Sequence, residues 1–191
     1  MASQPKTTYT PEAYLEIDRG SEFKNEYFNG EIFAMTGASR EHNLIASNVN
    51  ASLNIQLKGR QCEVYVNDMR VKVSPGGLYA YPDVVVVCGA PMFEDKATDT
   101  LTNPTVVIEV LSKSTEAYDR GDKSVHYRKL RSLLEYLLIS QNRHHVEHFV
   151  RQPDNQWLLS ETDDKQAAID LASINCRLAM VDIYDKVEME T

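Results

Sequence analysis

No run of about 18 apolar residues occurs, which excludes a helical membrane span. The first residues, Met1-Ala2-Ser3-Gln4-Pro5-Lys6, lack the apolar core of a secretory signal. Cysteine is scarce. Cys62, Cys88 and Cys176 are odd in number and widely spaced, so they predict neither a zinc motif nor a disulfide framework. Together these absences set the expectation of a reduced, cytoplasmic protein. There is no G-x-G-x-x-G, P-loop or nucleophile elbow. Basic charge is also in short supply: the formal net charge is −8, which argues against broad, non-specific affinity for nucleic acid. It does not exclude a nuclease, because catalytic carboxylates add negative charge that a bound metal offsets. Without repeats, low-complexity tracts or linkers, the 191 residues read as one domain over 1–191, with a polar, loose stretch at 1–8.

What the chain does carry is a pair of acids set inside apolar strands. Asp83 lies in Tyr81-Pro82-Asp83-Val84-Val85-Val86-Val87, and Glu109 in Val106-Val107-Ile108-Glu109-Val110-Leu111. Such runs read as strands covered on both faces. An ionised carboxylate there is costly unless it meets a cation or hydrogen-bond donors. Two of them suggest a shared metal ion, and the plainer alternative is a pair of structural acids at strand ends. Asp83, Val85 and Val87 share one strand face, as do Val107, Glu109 and Leu111. In a suitable register the two acids meet.

Around these strands the signals are local. Thr10-Pro11-Glu12 starts a helix that runs to about Arg19 and stops at Gly20. Asn29-Gly30 between two apolar runs predicts an N-terminal β-hairpin. Ser39 caps a helix over 40–58, striped by Ile45, Val49, Leu53 and Leu57 and ended by Gly59. A second hairpin is expected from Glu63 to Val73 and Tyr79 to Cys88, turning at Ser74-Pro75-Gly76-Gly77. Residues 89–103 read as a lid or surface loop. Ser114 or Thr115 caps a helix reaching about Leu130. Strands over 135–140, 145–151 and 156–161 form a C-terminal β-meander, closed by a short helix over 180–187.

The order and motifs resemble the PD-(D/E)XK nuclease superfamily, and more closely its Uma family of restriction-endonuclease-like proteins. The resemblance rests on Tyr81 to Val86, on Val107 to Thr115, and on Asp119-Arg120-Gly121-Asp122-Lys123 followed by Tyr127. The hairpin with Glu26 and His42 near the start of the long helix also fit. It implies an α/β (α+β mixed-sheet) restriction-endonuclease-like core with flanking helices. It further implies a Mg²⁺-dependent endonuclease acting on nucleic acid, DNA first, with Mn²⁺ as a substitute and a homodimer as the assembly. Asp83 and Glu109 would hold the metal and Glu26 would join or support them. The superfamily pattern has lysine two residues after Glu109, where this chain has Leu111. Related sequences move that lysine to the next helix, which nominates Lys123 as base or charge stabiliser. Lys113 is the rival, at a place where related sequences tend to carry proline. Asp119, Lys123 and Tyr127, spaced i, i+4, i+8, form one helix stripe.

Plainer readings stand beside these. Asp119 and Lys123 could be a surface ion pair, Glu26 a solvated strand residue, and His42 a capping contact rather than a substrate or proton-carrying group. His144, His145 and His148 alternate across a strand and read as solvent-facing rather than as metal ligands. The rival functions are a non-catalytic interaction module that keeps the fold, and a small-molecule or nucleotide phosphohydrolase.

Overall fold

The computed structural model describes residues 7–73, 77–113 and 115–189, whose strands form two sheets and a separate hairpin. Helix α1 (Pro11–Gly20) starts where Thr10 Oγ1 accepts the Ala13 N–H at 3.2 Å. Strands β1 (Asn25–Phe28) and β2 (Glu31–Ala34) follow, turning through Asn29 and Gly30 at φ 46° and 93°. Gly30 is needed twice over, because a Cβ there would also strike Thr8 Cγ2. Helix α2 (Arg40–Leu57) is capped by Ser39, which accepts the His42 N–H at 3.1 Å.

The segment expected as a second hairpin divides between the sheets. Strand β3 (Cys62–Val66) pairs with β6 (Val84–Cys88) in one sheet, while β4 (Arg70–Lys72) pairs with β5 (Leu78–Ala80) in the other. The chain bends at Asn67, which has a φ of 59°, and again around Tyr81-Pro82-Asp83. Residues 74–76 of the expected turn lie outside the described residues, as does Ser114 and most of the loose stretch expected at 1–8.

Strand β7 (Thr100–Leu101) lies parallel to β4, so the surface excursion over 89–103 ends in a short strand. It packs at a sheet edge, tied to α1 by Arg19, which donates to Asp95 and Asp99 at 2.9 and 2.8 Å. Strand β8 (Val106–Leu111) joins β6 antiparallel and β9 (Glu135–Ser140) parallel. A parallel neighbour needs a crossover. Here it is α3 (Glu116–Tyr118), a π-helical turn over Asp119–Lys123 kinked at Gly121, and α4 (Ser124–Tyr127). This helix ends before the expected Leu130 and is not continuous. Strands β10 (Val146–Arg151) and β11 (Trp157–Thr162) complete the meander. A hairpin of β12 (Ala168–Leu171) and β13 (Cys176–Ala179), which the sequence reading passed over, precedes α5 (Met180–Ile183).

The sheet orders are β2-β1-β5-β4-β7 and β11-β10-β9-β8-β6-β3. On one face of the larger sheet, Val84, Val86, Ile108 and Val110 pack with Ile45, Val49 and Leu53 of α2 and with the β12–β13 hairpin. On the other face, Val85, Val87, Val107 and Leu111 meet Val71, Leu78 and Leu101 of the smaller sheet together with Tyr127. The valine runs of β6 and β8 are therefore buried on both sides, as their composition requires.

Two other expectations are corrected. Cys62 and Cys88 stand opposite each other in the β3–β6 ladder and form a disulfide across a sequence separation of 26 residues. Strand register made them neighbours, and sequence spacing carried no trace of it. His145 and His148 are buried, not solvent-facing: His145 Nδ1 lies 2.6 Å from Asp163 and His148 Nε2 lies 2.5 Å from Glu135.

Candidate active site

Asp83 enters the site at the bend just before β6. In the register that pairs Val84 with Ile108 and Val85 with Val107, one further step sets Asp83 opposite Glu109. The two acids share the face that carries Val85 and Val107. Asp83 Oδ2 accepts the Val110 N–H at 2.7 Å, and His42 Nε2 lies 2.7 Å from Oδ1. His42 reaches it from the first turn of α2, so the Ser39 cap also positions a site residue. The carboxylate is thus fixed from a strand and a helix at once.

Glu109 is 4% exposed and Lys123 is 5% exposed. Lys123 Nζ lies 2.9 Å from Glu109 Oε1, 3.1 Å from Glu26 Oε1 and 3.4 Å from Asp119 Oδ1. Tyr127 Oη donates to Glu109 Oε1 at 3.0 Å. Asp119, Lys123 and Tyr127 therefore converge from one helical stripe, as their spacing anticipates. Glu26, on β1, also accepts the Tyr81 N–H at 3.4 Å. Five of the seven residues singled out in the sequence meet through Lys123 and Glu109, and Asp83 and His42 form a pair beside them. Lys113, the rival lysine, lines the same cavity.

The electrostatics follow from burial. Desolvation pushes the Glu109 carboxyl well above its ordinary range; Lys123 opposes this, while Asp119, Asp83 and Glu26 add to it. Burial alone would lower Lys123, but Glu109, Glu26 and Asp119 outweigh it and hold the ammonium well above its usual value. Burial likewise raises Asp119 against the pull of Lys123. Tyr118, which the sequence reading did not single out, lines the cavity and is pushed up to about 12 by burial first and then by Glu26. Its only sequence signal is adjacency to Asp119.

These groups form part of the wall of an open cavity of about 1380 Å³. Its lining, among the described residues, carries eight carboxylates and three lysines, Lys24, Lys113 and Lys123, and no arginine. Among the described residues, no group of three His, Cys, Asp or Glu side chains is gathered at metal-ligating spacing. The donor set nevertheless suits a hard divalent cation. Mg²⁺ commonly takes one or two carboxylates and keeps several waters, and Asp83 and Glu109 supply such a pair beside a net excess of negative charge.

Comparison with known proteins matches residues 11–180 to the Uma2 family, described as "Putative restriction endonuclease". The chain belongs to the Uma2 family. Two relatives are uncharacterized proteins of Synechocystis sp.: sll1609 is 37% identical over 163 residues, covering 85% of this chain and 92% of the relative. The second, slr1290, is 34% identical over 182 residues, covering 95% and 94%. The crystal structure of a protein from Anabaena variabilis, described as "a putative nuclease belonging to DUF820", superposes with a TM-score of 0.78 at 19% identity, covering 94% of this chain and 99% of that one. At that identity the likeness establishes the fold, a mixed α+β nuclease-like architecture. No helix among the described residues is long and apolar enough to cross a membrane.

Proposed function

We propose that this Uma2 protein is a metal-dependent phosphodiesterase that cleaves nucleic acid, DNA in the first instance. In this reading Asp83 and Glu109 hold Mg²⁺ or Mn²⁺ and Glu26 supports them. The observation that carries it is the meeting of Glu26, Glu109 and Lys123, from β1, β8 and the π-helical turn, at distances of 3.1 and 2.9 Å on a cavity wall. The bound ion would lower the pKa of a water and polarise the scissile phosphate.

The chain's own groups do the rest. Lys123, held as an ammonium, donates to the attacking water or to a non-bridging phosphate oxygen and offsets the charge that builds there. It serves as a charged donor rather than as a base. Val110 N–H and His42 keep the Asp83 carboxylate oriented, and Tyr127 does the same for Glu109. The attacking water gives up a proton to solvent, its oxygen bonds to phosphorus, one P–O ester bond breaks, and the leaving oxygen takes a proton from solvent.

One observation favours a second reading. Eight carboxylates against three lysines make a poor track for a long polyanion, which suits a phosphohydrolase of small substrates. The test is calorimetric titration of Mg²⁺ and Mn²⁺ into wild type and Asp83→Ala, with plasmid nicking and a nucleotide panel assayed on the same samples. Metal binding and nicking that both disappear in Asp83→Ala support the nuclease. Hydrolysis confined to nucleotides supports the second reading, and no metal binding by wild type removes both.

A further inference from the structure

Two exposed phenylalanines, Phe33 and Phe23, line the cavity that holds Glu26, Glu109 and Lys123. Phe33 is directly opposite Glu26 in the β1–β2 ladder, so the two side chains stand on the same face of the hairpin. Cross-strand partners of this kind have Cβ atoms about 5 Å apart. Glu26 is the carboxylate that touches Lys123 at 3.1 Å. Phe33 is thus one cross-strand step from the groups assigned to the phosphate, and it is 48% exposed while lining the cavity. Phe23, just before β1, lines the same cavity and is 71% exposed. Single exposed apolar side chains are ordinary, and Ile55 and Leu158 are examples, but Phe33 and Phe23 are set apart by lining the same cavity as Lys123. In the nuclease reading these side chains adjoin the groups that handle the phosphate, and the apolar surface a nucleic acid offers there is the face of a base.

Charge separates the possible nucleic acids. A duplex is held by many Lys and Arg contacts to two backbones. Among the described residues this cavity has three lysines and no arginine, and Lys24 already pairs with Asp68 at 3.1 Å. A base stacked inside a duplex also cannot lie on Phe33. An unpaired strand needs fewer phosphate contacts, because stacking on aromatic rings carries much of its binding.

We propose that the cavity binds an unpaired nucleobase on Phe33 and Phe23 beside the scissile phosphate, making single-stranded nucleic acid the substrate. This rests on the nuclease reading above and names the substrate class of that site.

The test is steady-state cleavage, with Mn²⁺, of a short labelled DNA strand alone and annealed to its complement. Wild type should cut the single strand at least about tenfold more efficiently in kcat/KM. Phe33→Ala and Phe23→Ala should each raise KM for the single strand about tenfold, in line with the loss of one stacked base. Phe33→Trp should restore it and Phe33→Leu should not, because leucine keeps apolar contact without a stacking face. Thermal melts of each variant confirm that the fold is retained. Equal or better cleavage of the duplex, or full activity in Phe33→Leu, overturns the stacking inference and leaves the nuclease reading standing. Cleavage of neither form, despite metal binding, removes both.

Discussion

Tyr81 separates two buried groups of charge. On one side, Arg70, 3% exposed, donates through Nη2 to Asp18 at 2.7 Å, through Nη1 to Thr100 at 2.7 Å and through Nε to Tyr81 Oη at 3.0 Å. Tyr81 Oη in turn donates to Asp18. One cation meets one buried carboxylate, and the neutral hydroxyls use the remaining hydrogen-bonding capacity. On the other side, Lys123 faces Glu26, Glu109 and Asp119, with Asp83 in electrostatic reach. The first cluster is closed and balanced, which is how buried ions are made tolerable. The second is one cation short several times over and opens on a cavity. A protein keeps such an imbalance where another cation or a substrate completes it. The contrast is what the proposed function predicts, with the second cluster as the working site and the first as scaffold.

Breaking the balanced cluster should produce the largest effect. Arg70→Met leaves Asp18 buried without its partner and should lower unfolding stability by about 3–5 kcal/mol, read from the urea midpoint. Lys123→Met should reduce cleavage by about 10²–10³-fold in kcat, measured on protein that the urea curve shows to be folded, since this exchange too leaves buried carboxylates without their cation. If Lys123→Met cuts as fast as wild type, Lys113 is the group to substitute next.

The same exchange should then have opposite signs in the two clusters. Asp18→Asn should destabilise by about 2 kcal/mol, because a charged acceptor of Arg70 is lost. Asp119→Asn should stabilise by about 1 kcal/mol, because it removes an acid whose ionised form burial already disfavours, at a cost in activity. A common sign would mean that the clusters are electrostatically alike.

The smallest effect lies at the margin of the balanced cluster. Asp99 is brought down to about 2, chiefly by its hydrogen bond to Arg19. A depressed carboxyl contributes stability that is complete above its unfolded pKa near 4 and is lost as pH falls toward the folded value. Asp99→Asn should therefore lower stability modestly at neutral pH and flatten the acid limb below about pH 4, so that the two profiles converge near pH 2. Half-exposed charge at this position keeps the effect modest.

The candidate site was more legible in the sequence than the scaffold that holds it. Asp83 and Glu109 were conspicuous because carboxylates interrupt valine runs, and the i, i+4, i+8 spacing brought Asp119, Lys123 and Tyr127 together despite the kink. The Arg70 cluster left no such mark. Its members, Asp18, Arg70, Tyr81 and Thr100, come from four segments, and their meeting depends on a hairpin that changes sheets at Asn67 and Tyr81. The Cys62–Cys88 pairing and the burial of His145 and His148 were hidden for the same reason. They depend on strand register and layer stacking, which periodicity within a single segment does not encode.

The lysine's place on a helix rather than on β8 has a consequence for how the molecule fails. Glu109 stands on a strand buried on both faces and Asp83 at the bend leading into another, whereas the ammonium rides on three- and four-residue helical pieces joined by a π-helical kink. Segments this short have almost no stability of their own and persist only while docked. Gentle heating should release this crossover before the sheet yields, so that inactivation and unfolding become separate events. The first would be local and reversible on cooling, and an assay of residual activity would report the docking of one helix rather than the survival of the fold.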